Sequence, residues 1–259
     1  MTKRIEIPDE FPAVGGVSGK RLVLTGAGRG LGEVIAHALS RAGAKVALVA
    51  RTERDLMAVA AELSGPTLQF SGDVRDPEFN ETVADQTVAA WGGVDIWICN
   101  AGISPIVAGP LETSPEVWRE IIDVNLTGAF LGARAAARVM GPGGRIIFTG
   151  SVLGERPSKG LAAYSASKAG LVGMAKALAL DLAPLKITVN VVAPGWFESP
   201  MAEPWMKKDE LSKAVLSHTA LNRWGRSADL AGAFQFLASD AAEFVTGTVL
   251  SVDGGYLLT

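Results

Sequence analysis

Tyr164 and Lys168, in the run Tyr164-Ser165-Ala166-Ser167-Lys168, stand four residues apart, and Ser151 lies thirteen residues upstream of Tyr164. On a helix, residues four apart share one face, about one turn from each other. A phenol ordinarily loses its proton near pH ~10. A neighbouring ammonium favours the phenolate and lowers that value. The pair could therefore move a proton on and off an alcohol oxygen as general acid and base. Tyr-x-x-x-Lys recurs by chance in many chains, so its meaning depends on the elements that position it.

Those elements alternate along the chain. Apolar, partly β-branched runs over 21–25, 45–50, 68–71, 95–100, 145–149, 187–193 and 248–252 predict strands. Helical spacing falls between them, over 31–42, 52–63, 77–91, 114–140 with Ser114 as N-cap, 164–182, near 204–217, and over 228–237. Apolar strands separated by helices predict a parallel sheet covered on both faces. The chain reads as one domain over residues 20–259, preceded by an irregular tail over 1–19. The 164–182 segment is apolar nearly all round, which predicts burial on every side, against the active site, the sheet and another subunit.

Composition narrows the class. Of 259 residues, 48% are hydrophobic and 20% charged, as in a globular chain. The net charge of −3 comes with no long basic run, so a nucleic-acid partner is not expected. The lone Cys99 excludes an internal disulfide framework and suits a reducing, cytoplasmic setting. Residues 1–19 have no apolar core of a secretory signal, and no run approaches ~20 uncharged apolar residues, so no membrane span is expected. No His, Cys, Asp or Glu cluster has metal-ligand spacing, so no metal is expected. His37 reads as a packed or surface imidazole and His218 as a candidate substrate contact.

The first predicted strand runs into Thr25-Gly26-Ala27-Gly28-Arg29-Gly30-Leu31-Gly32. Glycines there permit a tight turn and close approach of the backbone to a pyrophosphate, which the N-terminus of the next helix would attract. An acidic residue ending the second strand would bond the ribose 2′-hydroxyl of NAD. Here the sequence is Ala50-Arg51-Thr52. Arg51 can clamp a 2′-phosphate, and Arg29 can add a second charge. The reading favours NADP(H), with NAD(H) possible. Glu53 and Asp55 fit the first turn of the following helix, where the dipole favours carboxylates.

With these motifs in place, the chain resembles the short-chain dehydrogenase/reductase family over nearly all its length. The family's Thr-Gly-x-x-x-Gly-x-Gly turn is Thr25 to Gly32. Its adenine-contacting Asp-Val pair matches Asp73-Val74, and its Asn-Ala-Gly matches Asn100-Ala101-Gly102, with Cys99 where another Asn is usual. The catalytic tetrad falls on Asn125, Ser151, Tyr164 and Lys168. The Pro-Gly turn is Pro194-Gly195, followed by Ser199 in place of threonine, and the closing Asp-Gly-Gly is Asp253-Gly254-Gly255. The resemblance implies a Rossmann-like doubly wound fold with strand order 3-2-1-4-5-6-7. It also strengthens NADP preference, because Arg29 and Arg51 occupy the positions of basic residues in NADP-preferring members.

The implied reaction is hydride transfer between nicotinamide and a ketone or secondary alcohol. In it Tyr164 handles the proton and Ser151 bonds the same oxygen. Lys168 holds the nicotinamide ribose and lowers the tyrosine pKa, and Asn125 holds a relay water. The resemblance further implies a substrate lid over about 196–221, with Phe197 meeting the carboxamide through its backbone. Trp196, Trp205 and Ser104 are candidate substrate residues. A homo-oligomer, tetramer or dimer, is implied as well. A 3-oxoacyl-carrier-protein reductase is one candidate within the family, weakened because Lys186 is the only basic residue in Ala183-Pro184-Leu185-Lys186. A sugar-acid or polyol dehydrogenase is another. A non-catalytic dinucleotide-binding protein is the alternative of a different class.

Overall fold

The structure is a computed structural model that describes residues 6–8 and 15–259. Its strands are β1 (Arg21–Thr25), β2 (Lys45–Ala50), β3 (Thr67–Ser71), β4 (Val94–Cys99), β5 (Met140–Thr149), β6 (Thr188–Pro194) and β7 (Val249–Val252). Its helices are α1 (Gly30–Arg41), α2 (Glu53–Glu62), α3 (Pro77–Trp91), α4 (Pro115–Ile122), α5 (Gly128–Val139), α6 (Ala162–Leu182), α7 (Glu203–Met206), α8 (Asp209–Ser217) and α9 (Ser227–Ala238). The seven strands form one parallel sheet in the order β3-β2-β1-β4-β5-β6-β7, the order implied by the family resemblance.

Period-two alternation divides each strand between two cores. Leu22, Leu24, Val46, Leu48, Ile96 and Ile98 join Ile35 and Leu39 of α1, Leu56 of α2 and Phe234 of α9. Val23, Ala47, Val49, Trp97, Ile146 and Phe148 join Val83 of α3, Ala133 of α5 and Leu171 of α6. Each fully buried Leu, Ile or Phe contributes about 1.5–3 kcal/mol, so both faces hold the sheet with similar force. All strands run the same way, so Thr25, Ala50, Ser71, Cys99, Thr149 and Pro194 end at one edge, where sheets of this kind bind ligands.

Local chemistry sets the helix ends. Ser114 caps α4, its Oγ accepting from Val117 N at 3.3 Å, with Pro115 behind it. Asp76 caps α3 in the same manner, accepting from Glu78 N at 2.9 Å. The single helix expected over 114–140 is interrupted instead. Between α4 and α5, residues Asp123–Thr127 form a π-turn in which Gly128 N–H reaches back five residues to Asp123 O. The chain never leaves the helical path, so the apolar spacing conceals the widened turn. Met140 opens β5 by pairing with Val94, a strand start hidden by the glycines and proline that follow. The helix expected near 204–217 is two, α7 and α8.

Within the single chain α6 leaves one side uncovered. Ala166, Ala169, Gly173, Ala177 and Leu180 form an exposed stripe on the side turned away from the sheet, with Leu180 78% exposed. Of the tail expected over 1–19, residues 1–5 and 9–14 lie outside the described ones. Among the rest, Glu6 O accepts from Ser227 Oγ and Pro8 O accepts from Arg41. Among the described residues no helix is long and apolar enough to cross a membrane.

Candidate active site

The glycine turn is shaped by contacts that no side chain could survive. Gly26 has φ of 68°, and a Cβ there would meet Ala101 Cα at 2.8 Å. A Cβ on Gly32 would stand 2.0 Å from Gly26 O. The turn thus folds flat against the first turn of α1. Exposed Arg29 is the N-cap residue of α1, and no side chain caps the helix. Uncapped amides and the positive dipole end suit a pyrophosphate, so these residues fit the dinucleotide that the sequence suggests. Gly28, Gly30 and Leu31 are part of the same turn, all half-buried.

A hydrogen-bond network ties this turn to the neighbouring strand ends. Thr25 Oγ1 accepts from Asn100 N at 3.0 Å and Ala101 N at 3.1 Å. Asn100 Nδ2 donates to Thr25 O at 3.1 Å and Gly26 O at 3.2 Å, and its Oδ1 accepts from Thr149 Oγ1 at 3.1 Å. The Asn100 amide therefore joins β1 to β5. Cys99, where another asparagine is usual, is buried and its thiol donates to Ala129 O at 3.3 Å. Burial in apolar surroundings pushes that thiol well above its ordinary pKa, so it is a packing residue.

At the far end of the turn, the ends of β2 and β3 lie side by side, and Ser71 Oγ donates to Arg51 O at 3.1 Å. Arg51 is exposed. Asp73 is gripped through both oxygens by Arg75, with distances of 2.6 to 3.1 Å. This hydrogen bonding, assisted by the charge of Arg51, holds its carboxyl below the usual range. Sequence reading singled out Asp73 and overlooked Arg75, although the Asp-x-Arg spacing was present. Val74 packs against Gly128 at the start of α5. Asp55 packs against Gly28, with its carboxylate 3.8 Å from Arg54 Nε.

Three of the four tetrad members gather around the ends of β4 and β5 and the start of α6, and Asn125 reaches the same place from the π-turn. Lys168 is buried, and its Nζ donates to Thr149 O at 2.8 Å. The same Nζ lies 5.6 Å from the centroid of the Tyr164 ring. Burial lowers the Lys168 pKa to about 8. Burial also raises the Tyr164 phenol, while its hydrogen bond with Ser151 pulls the other way. The sequence suggests that the ammonium lowers the phenol; in this structure burial raises it, and Ser151 is what opposes the rise. Ser151 is brought in by the short turn Val152–Gly154, its Oγ accepting from Leu153 N at 3.1 Å. That turn presses on α6 so closely that a Cβ on Gly154 would stand 2.9 Å from Ala169 N.

Asn125, only 1% exposed, has its amide fully used. Its Oδ1 accepts from Ile103 N at 2.7 Å, and its Nδ2 donates to Ile103 O at 3.0 Å and Ser167 Oγ at 3.1 Å. It thus fixes the loop after β4 to α6, with Gly102 between Asn125 and Lys168. Ser104 follows this anchored loop and is half-buried.

Beyond the tetrad, β6 ends in Pro194-Gly195, and Gly195 N–H donates to Val252 O at 2.9 Å. Phe197 pairs with Gly225 as an isolated bridge and its ring is buried. Ser199 Oγ accepts from Ala202 N at 3.3 Å. Trp196 sits in an aromatic nest, its ring centroid 5.5 Å from Trp205, 6.0 Å from Trp224 and 6.3 Å from Tyr256. Trp224 and Tyr256 were not anticipated, because they lie far from Trp196 in sequence. Arg156 was missed for the same reason. It donates to Tyr256 O at 2.8 Å and to Thr259 O, and its guanidinium meets His218 Nδ1 at 3.3 Å.

One group of three potential metal ligands occurs among the described residues, on helices that carry no tetrad member. Glu33, His37 and Glu62 bring ligand atoms within 4.8 Å of one another. Glu33 and His37 are one helical turn apart, a spacing that the sequence contained and its reading did not use.

Comparison with known proteins agrees with this geometry. Residues 26–257 match the family described as enoyl-(acyl carrier protein) reductase. The 3-oxoacyl-[acyl-carrier-protein] reductase FabG of Escherichia coli is 39% identical over 239 residues, spanning 92% of this chain and 97% of its own. Glucose 1-dehydrogenase of Gluconobacter oxydans is 35% identical over 93% of each chain. A crystal structure of a short-chain dehydrogenase from Burkholderia cenocepacia, in complex with NADP, superposes with a TM-score of 0.85 at 33% identity, covering 94% of this chain and 100% of that one. Sheet order, glycine turn and sequence likeness converge: the chain belongs to the short-chain dehydrogenase/reductase family of oxidoreductases.

Proposed function

We propose that the protein moves a hydride between NADP(H) and a ketone or secondary alcohol, with Tyr164 as general acid and base. The observation that supports this most is the buried Lys168 ammonium, anchored on Thr149 O and 5.6 Å from the Tyr164 ring. When bound, the cofactor supplies or accepts the hydride. The raised phenol stays protonated at neutral pH and is ready to donate to a carbonyl oxygen; in oxidation it takes the proton back. Ser151 donates a second hydrogen bond to that oxygen and stabilises the charge gathering there. Lys168 holds the nicotinamide ribose hydroxyls and, with a pKa of about 8, is mostly charged at neutral pH and able to exchange a proton. Asn125 keeps the loop and α6 in register, and it belongs to the proton path to solvent.

NADP preference rests on exposed Arg29 and Arg51 and on the neutralisation of Asp73 by Arg75. That a relative of this fold holds NADP supports it. The exposed apolar stripe of α6 supports a homo-dimer or tetramer, and the lone buried Cys99 a cytoplasmic setting. Residues 196–221 are read as the lid. The acyl-carrier reading gains from the Escherichia coli relative but finds Leu185 51% exposed beside Lys186 where a basic surface would serve it.

The test is reduced-nicotinamide absorbance with a panel of ketones and alcohols, run with NADPH and NADH. The expected result is higher kcat/KM with NADPH; a higher value with NADH removes the arginine argument. Tyr164→Phe should lower kcat by about 10²–10⁴ with cofactor binding retained. Cofactor binding without turnover by the unaltered protein on any substrate favours a binding protein instead.

A further inference from the structure

We infer that the substrate carries a bulky apolar group, best an aryl ring, beside its reacting carbon. This rests on the oxidoreductase reading above and names the substrate class for the same site.

Val152, Leu153, Leu161 and Tyr256 form a buried apolar cluster, and Tyr164, Trp196 and Trp205 pack against it. The residue that handles the proton and two indoles from the segment over it therefore belong to one apolar surface. Its aromatic part is rigid, because Trp196 is braced by Trp205, Trp224 and Tyr256 at tilted and edge-on angles. Trp224 is fixed in turn by Nε1 donating to Ser212 Oγ at 3.1 Å.

Polar chemistry around this surface is already engaged. Arg156, the cation that stacks on Tyr256 at 5.0 Å, is taken up by Tyr256 O and Thr259 O. Lys207 pairs with Glu203 at 2.6 Å. Trp196 Nε1 is a buried donor with no hydrogen-bond partner among the described residues. The half-buried rings of Trp196 and Trp205 thus offer apolar area while the Trp196 N–H stays buried, which suits an aryl or branched ketone. A polyhydroxylated or anionic substrate would strand its polar groups there. An acyl thioester delivered by an acidic carrier would meet the exposed side chains of Leu180 on α6 and Leu185 just after it beside the lone Lys186.

The experiment compares kcat/KM, with NADPH and with NADH, for acetophenone, dihydroxyacetone and the N-acetylcysteamine thioester of acetoacetate. The expected result is acetophenone ahead of the other two by about tenfold or more, the scale on which pockets separate substrates by apolar fit. Trp196→Ala should shrink that ratio about tenfold, whereas Trp196→Phe, which keeps a ring, should hold it within about threefold. Fluorescence of bound NADPH checks that each variant is folded and binds cofactor. Equal or better turnover of dihydroxyacetone or the thioester overturns the substrate class and leaves the oxidoreductase reading standing. An unchanged ratio in folded Trp196→Ala also overturns it. Absence of turnover on all three and on the wider panel overturns the oxidoreductase reading, and this inference with it.

Discussion

Around Tyr164 the polar residues are held by backbone partners, whereas around Trp196 the aromatic residues are held by one another. Lys168 rests on Thr149 O, Asn125 on both the N–H and the carbonyl of Ile103, and Asn100 on the carbonyls of Thr25 and Gly26. Backbone partners sit where strands and helices put them, so this floor follows from the fold. Trp196, Trp205, Trp224 and Tyr256 come from separate segments, and their mutual contacts are side-chain packing. A change in any one of them reshapes the wall without disturbing the sheet. The difference separates the part of the cleft proposed to serve chemistry from the part proposed to serve substrate choice.

The largest effect is expected at the floor. Gly32→Ala forces a Cβ against Gly26 O, and backbone cannot yield there. The expected loss is more than ~4 kcal/mol of stability, or of NADPH binding where the fold survives. Thermal melts with and without NADPH measure it, and wild-type behaviour would show that the turn is less rigid than its contacts imply.

Lys168→Met tests a subtler property. The folded Lys168 pKa of about 8 lies below the ordinary 10.5. Between those values the unfolded chain binds more protons than the folded one, so this group makes stability rise with pH across that window. Below about pH 8 the buried ammonium exerts its full cost. The methionine variant should therefore be more stable at pH 7, by up to ~3 kcal/mol, while losing turnover. The gain should fade as the pH approaches 10.5. Melting curves at both ends of the window decide; an unstabilised variant at pH 7 would mean that the bond to Thr149 O offsets the burial.

In the aromatic nest, Trp224→Phe removes the bond to Ser212 and trims one edge. About 1 kcal/mol of stability should be lost. KM should rise severalfold with kcat within about twofold, since the residue acts on substrate through Trp196. A fall in kcat with KM unchanged would place Trp224 with the floor.

Legibility followed the same division. Strands such as Lys45–Ala50 and the glycine turn were plain because apolar alternation and glycine spacing are local signals. The proposed tetrad is read through Tyr164 and Lys168, which share one helix, and through motifs of fixed spacing that carry the family resemblance. The grip of Arg75 on Asp73 lay two residues away and was passed over, because Asp73 had already been assigned to the cofactor. The aromatic nest was out of reach, since Trp196 and Tyr256 meet only when β6 and β7 lie side by side.

The π-turn that presents Asn125 amounts to one extra residue inside an otherwise regular helix. Removing one of Asp123–Thr127 would let the helix close regularly and keep the stretch beyond it nearly in register, because the wide turn takes up the extra residue. Ala133 and Ala136 would still face the sheet, but Asn125 would lose the Ile103 loop. The extra residue thus serves the site and not the sheet: a single deletion here would spare the fold and unseat Asn125.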